Sequence, residues 1–149
     1  MINRFEHFSL TISEINRYWH KIATEELEKY GLKGSHATYL TAMSQHENGI
    51  TAPQLCEICG KDKADVSRMT NILMKKGLAV KEGGYNGVFL LTDTGREAAE
   101  QVSRRAALAV ELAGQDLTEE NRAIFYEALD SIVNHLRQIS ENGLPTDDK

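Results

Sequence analysis

The 149-residue sequence contains no apolar run approaching the roughly 18 to 20 residues that a membrane-spanning helix needs. Its opening, Met-Ile-Asn-Arg-Phe-Glu, lacks the apolar stretch of a signal peptide. The expected location is therefore the cytoplasm, with no membrane partner. Cysteine is scarce: Cys56 and Cys59 are too few to staple a secreted scaffold, in keeping with a reducing compartment. The five histidines, His7, His20, His36, His46 and His135, are scattered, with no His-x-x-x-His and no dense carboxylate group, so no metal site is expected. No serine, histidine and aspartate are organised as a catalytic set, which argues against an enzyme, and nothing calls for a cofactor. Internal repeats, low-complexity tracts and linkers are also missing. At 41% hydrophobic and 26% charged, the chain reads as one domain, 1–149, able to bury a core.

The net charge of −5 argues at first against a nucleic-acid partner, but its distribution does not. Lys61, Lys63, Arg68, Lys75, Lys76 and Lys81 face only Asp62 and Asp65, a local +4 that leaves −9 for the remainder. A basic patch on an acidic body is a one-sided electrostatic footprint; a solvated helix face is the plainer alternative.

Around that patch the periodicity is mainly helical. Phe5, Phe8, Ile12, Ile15, Trp19 and Ile22 recur at steps of three and four, continued by Ala23, Leu27 and Tyr30, and predict a long amphipathic helix. Gly31 and Gly34 stop it. Ser35 then caps a shorter helix marked by Tyr39, Leu40 and Met43, ending near Asn48-Gly49. Thr51 and Gln54 form a capping box, with Pro53 in the first turn, and this third helix ends at Gly60. Asp62 caps a fourth helix, 63–76, closed by Gly77. Val66, Met69, Thr70 and Leu73 lie on one of its faces; Ala64, Ser67, Arg68, Asn71 and Lys75 lie on the other.

Beyond Gly77 the pattern becomes extended. Residues 79–85 and 88–91 flank Asn86-Gly87, the dipeptide suited to a two-residue type I′ hairpin. Gly83, Gly84 and Gly87 form no phosphate cradle, since a strand follows them. Thr92 caps a helix with a small packing face of Ala98, Ala99, Val102, Ala106, Ala109 and Ala113. Thr118, with Glu119 and Glu120, opens the last helix, striped by Phe125, Leu129, Ile132, Leu136 and Ile139. A frayed tail, 142–149, ends the chain. The end helices either bury one another within a monomer or are covered by a second copy.

Leu55-Cys56-Glu57-Ile58-Cys59-Gly60-Lys61-Asp62-Lys63-Ala64-Asp65-Val66-Ser67-Arg68, then Leu73-x-x-x-Gly77-Leu78, then Leu91-Thr92-x-x-Gly95, resemble the winged helix-turn-helix of MarR-type bacterial transcriptional regulators. The order of elements extends the similarity over nearly the whole chain. The fold class expected is mainly α with a small β-hairpin wing: a winged helix-turn-helix lobe, 35–95, bracketed by dimerisation helices, 1–34 and 96–141. The resemblance implies a homodimer that places one recognition helix per subunit in successive major grooves of a pseudo-palindromic double-stranded operator, and a repressor relieved by a small effector.

Residue chemistry gives that expectation content. Ala64, Ser67, Arg68 and Asn71 are candidate base contacts, Arg68 suited to guanine and Asn71 to adenine. An intramolecular salt bridge is the competing role for Arg68. Thr51, Lys61, Lys63, Lys75, Lys76 and Lys81 are candidate phosphate contacts. The wing departs from the family, whose longer hairpin usually carries an Asp-x-Arg motif reaching the minor groove. No arginine is present here, which leaves Lys81 for phosphate, Asn86 for an A·T-rich groove and Tyr85 as a packing residue on the hairpin. By resemblance, an aromatic effector would lie near Trp19, His20, His36, Tyr39 and Met43. Cys56 and Cys59 supply only two of four zinc ligands and sit where a helix-turn-helix core holds apolar residues, so core packing is expected. Two alternatives remain: a thiol redox-responsive regulator using Cys56 and Cys59, and a winged helix turned to protein interaction.

Overall fold

The computed structural model describes residues 3–146, so the last three residues of the expected tail, 147–149, lie outside it. Six helices and one three-stranded antiparallel sheet follow in order. Helix α1 spans Arg4–Leu27 and runs into a 3-10 turn, Glu28–Tyr30; α2 spans His36–Ser44. Strand β1, Ile50–Thr51, precedes α3, Ala52–Cys59, and α4, Lys63–Lys75. Strands β2, Ala79–Glu82, and β3, Val88–Leu91, form the hairpin, and α5, Asp93–Ala113, and α6, Glu119–Asn142, complete the chain. The chain divides between Leu108 and Ala109 into two compact units. In the second, Thr118 accepts from the Asn121 N–H at 3.1 Å to start α6, and Arg122 donates to the Gly114 carbonyl at 2.9 Å. Helix α6 has no buried residue.

In the first unit the core gathers Leu27, Leu32, Tyr39, Leu40, Met43, Ile50, Leu55, Val66, Leu73, Leu78, Phe89 and Leu91. Each fully buried leucine of this set stabilises the fold by about 1.5–3 kcal/mol relative to exposure. The face of α4 expected inside, Val66, Met69, Thr70 and Leu73, is the face buried. Thr70, the polar member, donates to the Val66 carbonyl at 2.7 Å, so its hydroxyl enters the core satisfied.

The Gly77-Leu78 and Leu91-Thr92-x-x-Gly95 motifs prove to be one joint. Thr92 donates to the Gly77 carbonyl at 2.7 Å and accepts from the Gly95 N–H at 3.1 Å, while its own N–H reaches the Leu78 carbonyl at 3.0 Å. A Cβ at Gly95 would fall 1.9 Å from the Leu78 oxygen, so only glycine permits this approach.

Two local expectations are corrected. Ser35 makes no side-chain cap; instead the His36 ring Nδ1 accepts from the Lys33 N–H at 3.1 Å. Asn86-Gly87 does not form a type I′ turn, because neither residue has positive φ. The loop is five residues long, 83–87, with positive φ at Gly83 and Gly84 and a turn closed by Gly87 N–H to the Gly84 carbonyl at 3.0 Å. Burial decides this register: Ala79 pairs with Leu91 and both are buried, whereas a turn at Asn86-Gly87 would set Glu82 against Leu91 on the core face. The sheet also gains β1, an edge strand beside β3, where Ile50 pairs with Phe89.

Candidate nucleic-acid interface

Helix α4 is delimited at both ends by its own sequence. The Asp62 carboxylate accepts from the Asp65 N–H at 2.8 Å, fixing the start, a bond worth about 0.5–2 kcal/mol of helix stability. At the other end Leu78 N–H bonds the Leu73 carbonyl at 2.9 Å and Gly77 N–H the Met74 carbonyl at 3.1 Å, a Schellman closure. Helix α3 begins on the expected capping box, Thr51 N–H to Gln54 Oε1 at 2.9 Å and Gln54 N–H to Thr51 Oγ1 at 3.3 Å. Between the two helices Gly60 adopts φ 62°, a left-handed geometry that lets the chain turn in three residues.

This frame leaves Ala64, Ser67, Arg68 and Asn71 exposed on the face of α4 opposite the core. A cleft of about 910 Å³ runs between that face, the start of α3 and the hairpin. It brings Lys63, Ala64, Ser67 and Asn71 together with Thr51, Lys81, Tyr85 and Asn86. Arg68, Lys61, Lys75 and Lys76 lie outside its lining. Lys76 turns away toward the α1–α2 junction, where a Cβ at Gly31 would fall 2.5 Å from its Nζ. The Thr51 hydroxyl, which accepts in the capping box, donates to Gln54 Oε1 at 3.1 Å, so any further contact by Thr51 competes with that bond.

On the hairpin, Tyr85 is 88% exposed and packs on nothing, contrary to its expected role. The five-residue loop carries it past the strand ends. Phe89 is the ring that packs, and the Lys81 ammonium sits 5.4 Å from its centroid while donating to the Tyr85 carbonyl at 3.4 Å.

Arg68 has the intramolecular partner weighed as its competing role: Nη2 lies 2.7 Å from Asp65 Oδ1. The other carboxylate oxygen, Oδ2, accepts from the buried Tyr39 hydroxyl at 2.6 Å. Tyr39's hydrogen bond, with Arg68 beside it, holds the Asp65 carboxyl below its ordinary range, and burial pushes the Tyr39 phenol upward. Sequence reasoning had counted Asp65 only as charge subtracted from the basic patch; the i,i+3 spacing from Arg68 was the available signal.

Of the residues expected near an effector, Trp19 and His20 line a cavity of about 380 Å³ with Ala37, Thr41, Ile58 and Val102. His36, Tyr39 and Met43 are buried residues outside that lining, on a helix that packs mainly against α3 and β3. The Arg105–Glu26 pair, 2.6 Å apart, belongs to the same cavity wall. Cys56 and Cys59 are free, half-buried thiols packed against the core, and burial raises the Cys59 pKa. That direction opposes a reactive thiolate. Among the described residues no helix is long and apolar enough to cross a membrane.

Comparison with known proteins agrees with this architecture. Residues 30–85 match the MarR family model. No curated protein matches the chain. A MarR transcriptional regulator from Methanosarcina mazei Go1 superposes with TM-score 0.85 at 18% identity, covering 93% of this chain and 94% of that one. A putative MarR family transcriptional regulator from Listeria monocytogenes, solved with a 26mer DNA, superposes with TM-score 0.80 at 19% identity over 98% and 99%. MepR of S. aureus, in a DNA complex, gives TM-score 0.76 at 17% identity over 87% and 97%. The family resemblance and the winged-helix fold expected from the motifs are thus both found.

Proposed function

We propose that this MarR-type chain is a sequence-specific DNA-binding transcriptional regulator that works as a homodimer. The observation that carries the proposal is the exposed face of α4, where Ala64, Ser67, Arg68 and Asn71 stand clear of the core on a helix capped at both ends. A capped, core-anchored helix with donors and acceptors outward meets the requirement of major-groove readout. Lys61, Lys63, Lys75 and Lys81 then meet the backbone on either side, and Asn86 on the wing loop is offered to an A·T-rich minor groove. The DNA-bound Listeria and S. aureus neighbours, which share this fold, support the reading.

Within this proposal residues 35–95 form the reading lobe and 1–34 and 96–141 the pairing helices. Phe5, Phe8, Ile12 and Ile15 on α1, and Phe125, Ile132, Leu136 and Ile139 on α6, are exposed in the single chain, which supports their burial against a second copy. Regulation is proposed to be repression relieved by a small aromatic compound in the cavity beside Trp19 and His20, whose volume suits a small molecule. Such a compound acts only if it binds the DNA-incompetent arrangement more tightly than the competent one.

The test is binding to a duplex selected from a random pool, measured by fluorescence anisotropy at 50 and 200 mM salt. A footprint of several phosphates predicts a loss on the order of a thousandfold. Affinity unchanged between the two salts contradicts the proposal.

A further inference from the structure

We propose that Asp65 is a specificity-determining residue that acts through Arg68, and that Tyr39 orients it. The inference rests on the DNA-reading role of α4. Its basis is the division of one carboxylate between two partners: Oδ2 accepts from the Tyr39 hydroxyl at 2.6 Å and Oδ1 holds Arg68 Nη2 at 2.7 Å. Tyr39 is 1% exposed and belongs to α2, so its hydroxyl is fixed by the core. Arg68 has 68% of its side chain exposed, whereas Asp65 has 24%. The carboxylate therefore stands at the boundary between the core and the reading face, further held by the Asp62 cap on its own N–H.

Two consequences follow from the chemistry. An arginine on an exposed helix face samples many rotamers, and binding DNA must first freeze them. Asp65 removes part of that freedom beforehand, and because its other oxygen is tied to Tyr39 the carboxylate cannot swing away with the arginine. The same negative charge lies among Lys61, Lys63 and Arg68 on the surface that meets DNA. It repels phosphate at every site, and only a site that offers Arg68 a base-edge acceptor in good geometry compensates. Arg68 is thereby disfavoured as a general phosphate contact and retained as a reader.

The experiment compares a duplex selected from a random pool with a scrambled duplex of the same length and composition, using the full-length protein. For Asp65→Asn the expected result is binding to the scrambled duplex tightened about three- to tenfold, with the selected-to-scrambled ratio lowered about tenfold. Tyr39→Phe, which removes only the orienting hydroxyl, lowers the ratio in the same direction but less. A merely structural role shifts both duplexes by one common factor and leaves the ratio intact, and that outcome overturns the inference. Arg68→Ala separates the two levels of failure. If it abolishes the preference while Asp65→Asn keeps it, the role of Asp65 is wrong and the reading by α4 stands. If it keeps the preference, Arg68 is not a reader and the role of Asp65 fails with it, while the reading by α4 is decided by adding Asn71→Ala.

Discussion

Leu40, Ile50, Leu55 and Leu73 of the lobe 35–95 are wholly buried, whereas Phe5, Ile15, Ile132 and Leu136 of the terminal helices lie open to solvent. Both sets belong to apolar faces, and both regions have helices with side-chain caps, at Asn3 and Thr118 on the terminal helices and at Thr51 and Asp62 in the lobe. The difference is that the lobe's faces are covered within the chain: α2, α3, α4 and the three-stranded sheet close around one cluster, joined by Leu27 of α1 and by Ala98, Ala99 and Val102 of α5. Those of helices α1 and α6 are covered only in part or not at all, with Ala23 and Leu27 the buried residues of α1. The contrast separates a segment whose apolar faces are covered within the chain from segments whose apolar stripes stand uncovered in it. On the proposed function, the former reads DNA and the latter mediate pairing.

The strongest way to break this division is at α6. Ile132→Glu with Leu136→Glu is expected to give a monomer by analytical ultracentrifugation, with the lobe still folded by circular dichroism. DNA affinity should fall by about 10²–10⁴-fold, since two linked lobes gain that much over one. A variant that stays dimeric removes α6 from the pairing surface. Next in size, Leu73→Ala strikes the closed side of the comparison and should cost about 2–5 kcal/mol in urea unfolding, the range for deleting a buried leucine side chain. A cost below about 1 kcal/mol contradicts the burial assigned to α4.

A smaller effect is expected at the lip of the cleft between α4 and the hairpin. Thr51→Ala removes the capping box of α3 and should cost about 0.5–2 kcal/mol in the same assay. The smallest concerns His36, which lies at the entry to the lobe. Burial lowers its pKa below 6.5, opposed by the hydrogen bond that the protonated ring Nδ1 donates to the Lys33 carbonyl, 3.2 Å away; the charges of Lys33 and Lys76 lower it further while that of Asp65 raises it. The folded state therefore resists protonation more than the unfolded state does. Stability is highest above pH 6.5, declines as pH falls through 6.5 toward the lowered pKa, and levels off below it. Thermal melts from pH 7.5 to 5.5 should show a shallower decline in His36→Gln than in the wild type.

Local signals with local causes were legible in the sequence. The caps at Thr51 and Asp62, the turn at Gly60 and the buried face of α4 all depend on residues within a few positions of one another, and all appear as expected. The hairpin misled because Asn86-Gly87 is a strong local turn signal, yet the register is set by Ala79 and Leu91 entering a core built mainly from distant helices. Tyr85 was misjudged for the same reason. Ser35 offered a cap by type, but its side chain bonds none of the first N–H groups of α2, and the His36 ring takes the Lys33 N–H ahead of the helix. The bond between Tyr39 and Asp65 spans 26 residues and no spacing rule reaches that far. The cavity beside Trp19 was only half legible: α1 contributes as expected, while His36, Tyr39 and Met43 face inward.

The most direct measurement is the affinity of the Arg68→Ala, Asn71→Ala double variant for a selected duplex, beside that of the wild type, with a scrambled duplex as reference. Each bidentate base contact carries about 1–3 kcal/mol of discrimination, so the two together should reduce the preference for the selected duplex by about two to four orders of magnitude. Binding to the scrambled duplex should change far less. If the double variant retains the wild-type preference, α4 does not read the sequence and the account is wrong at its centre.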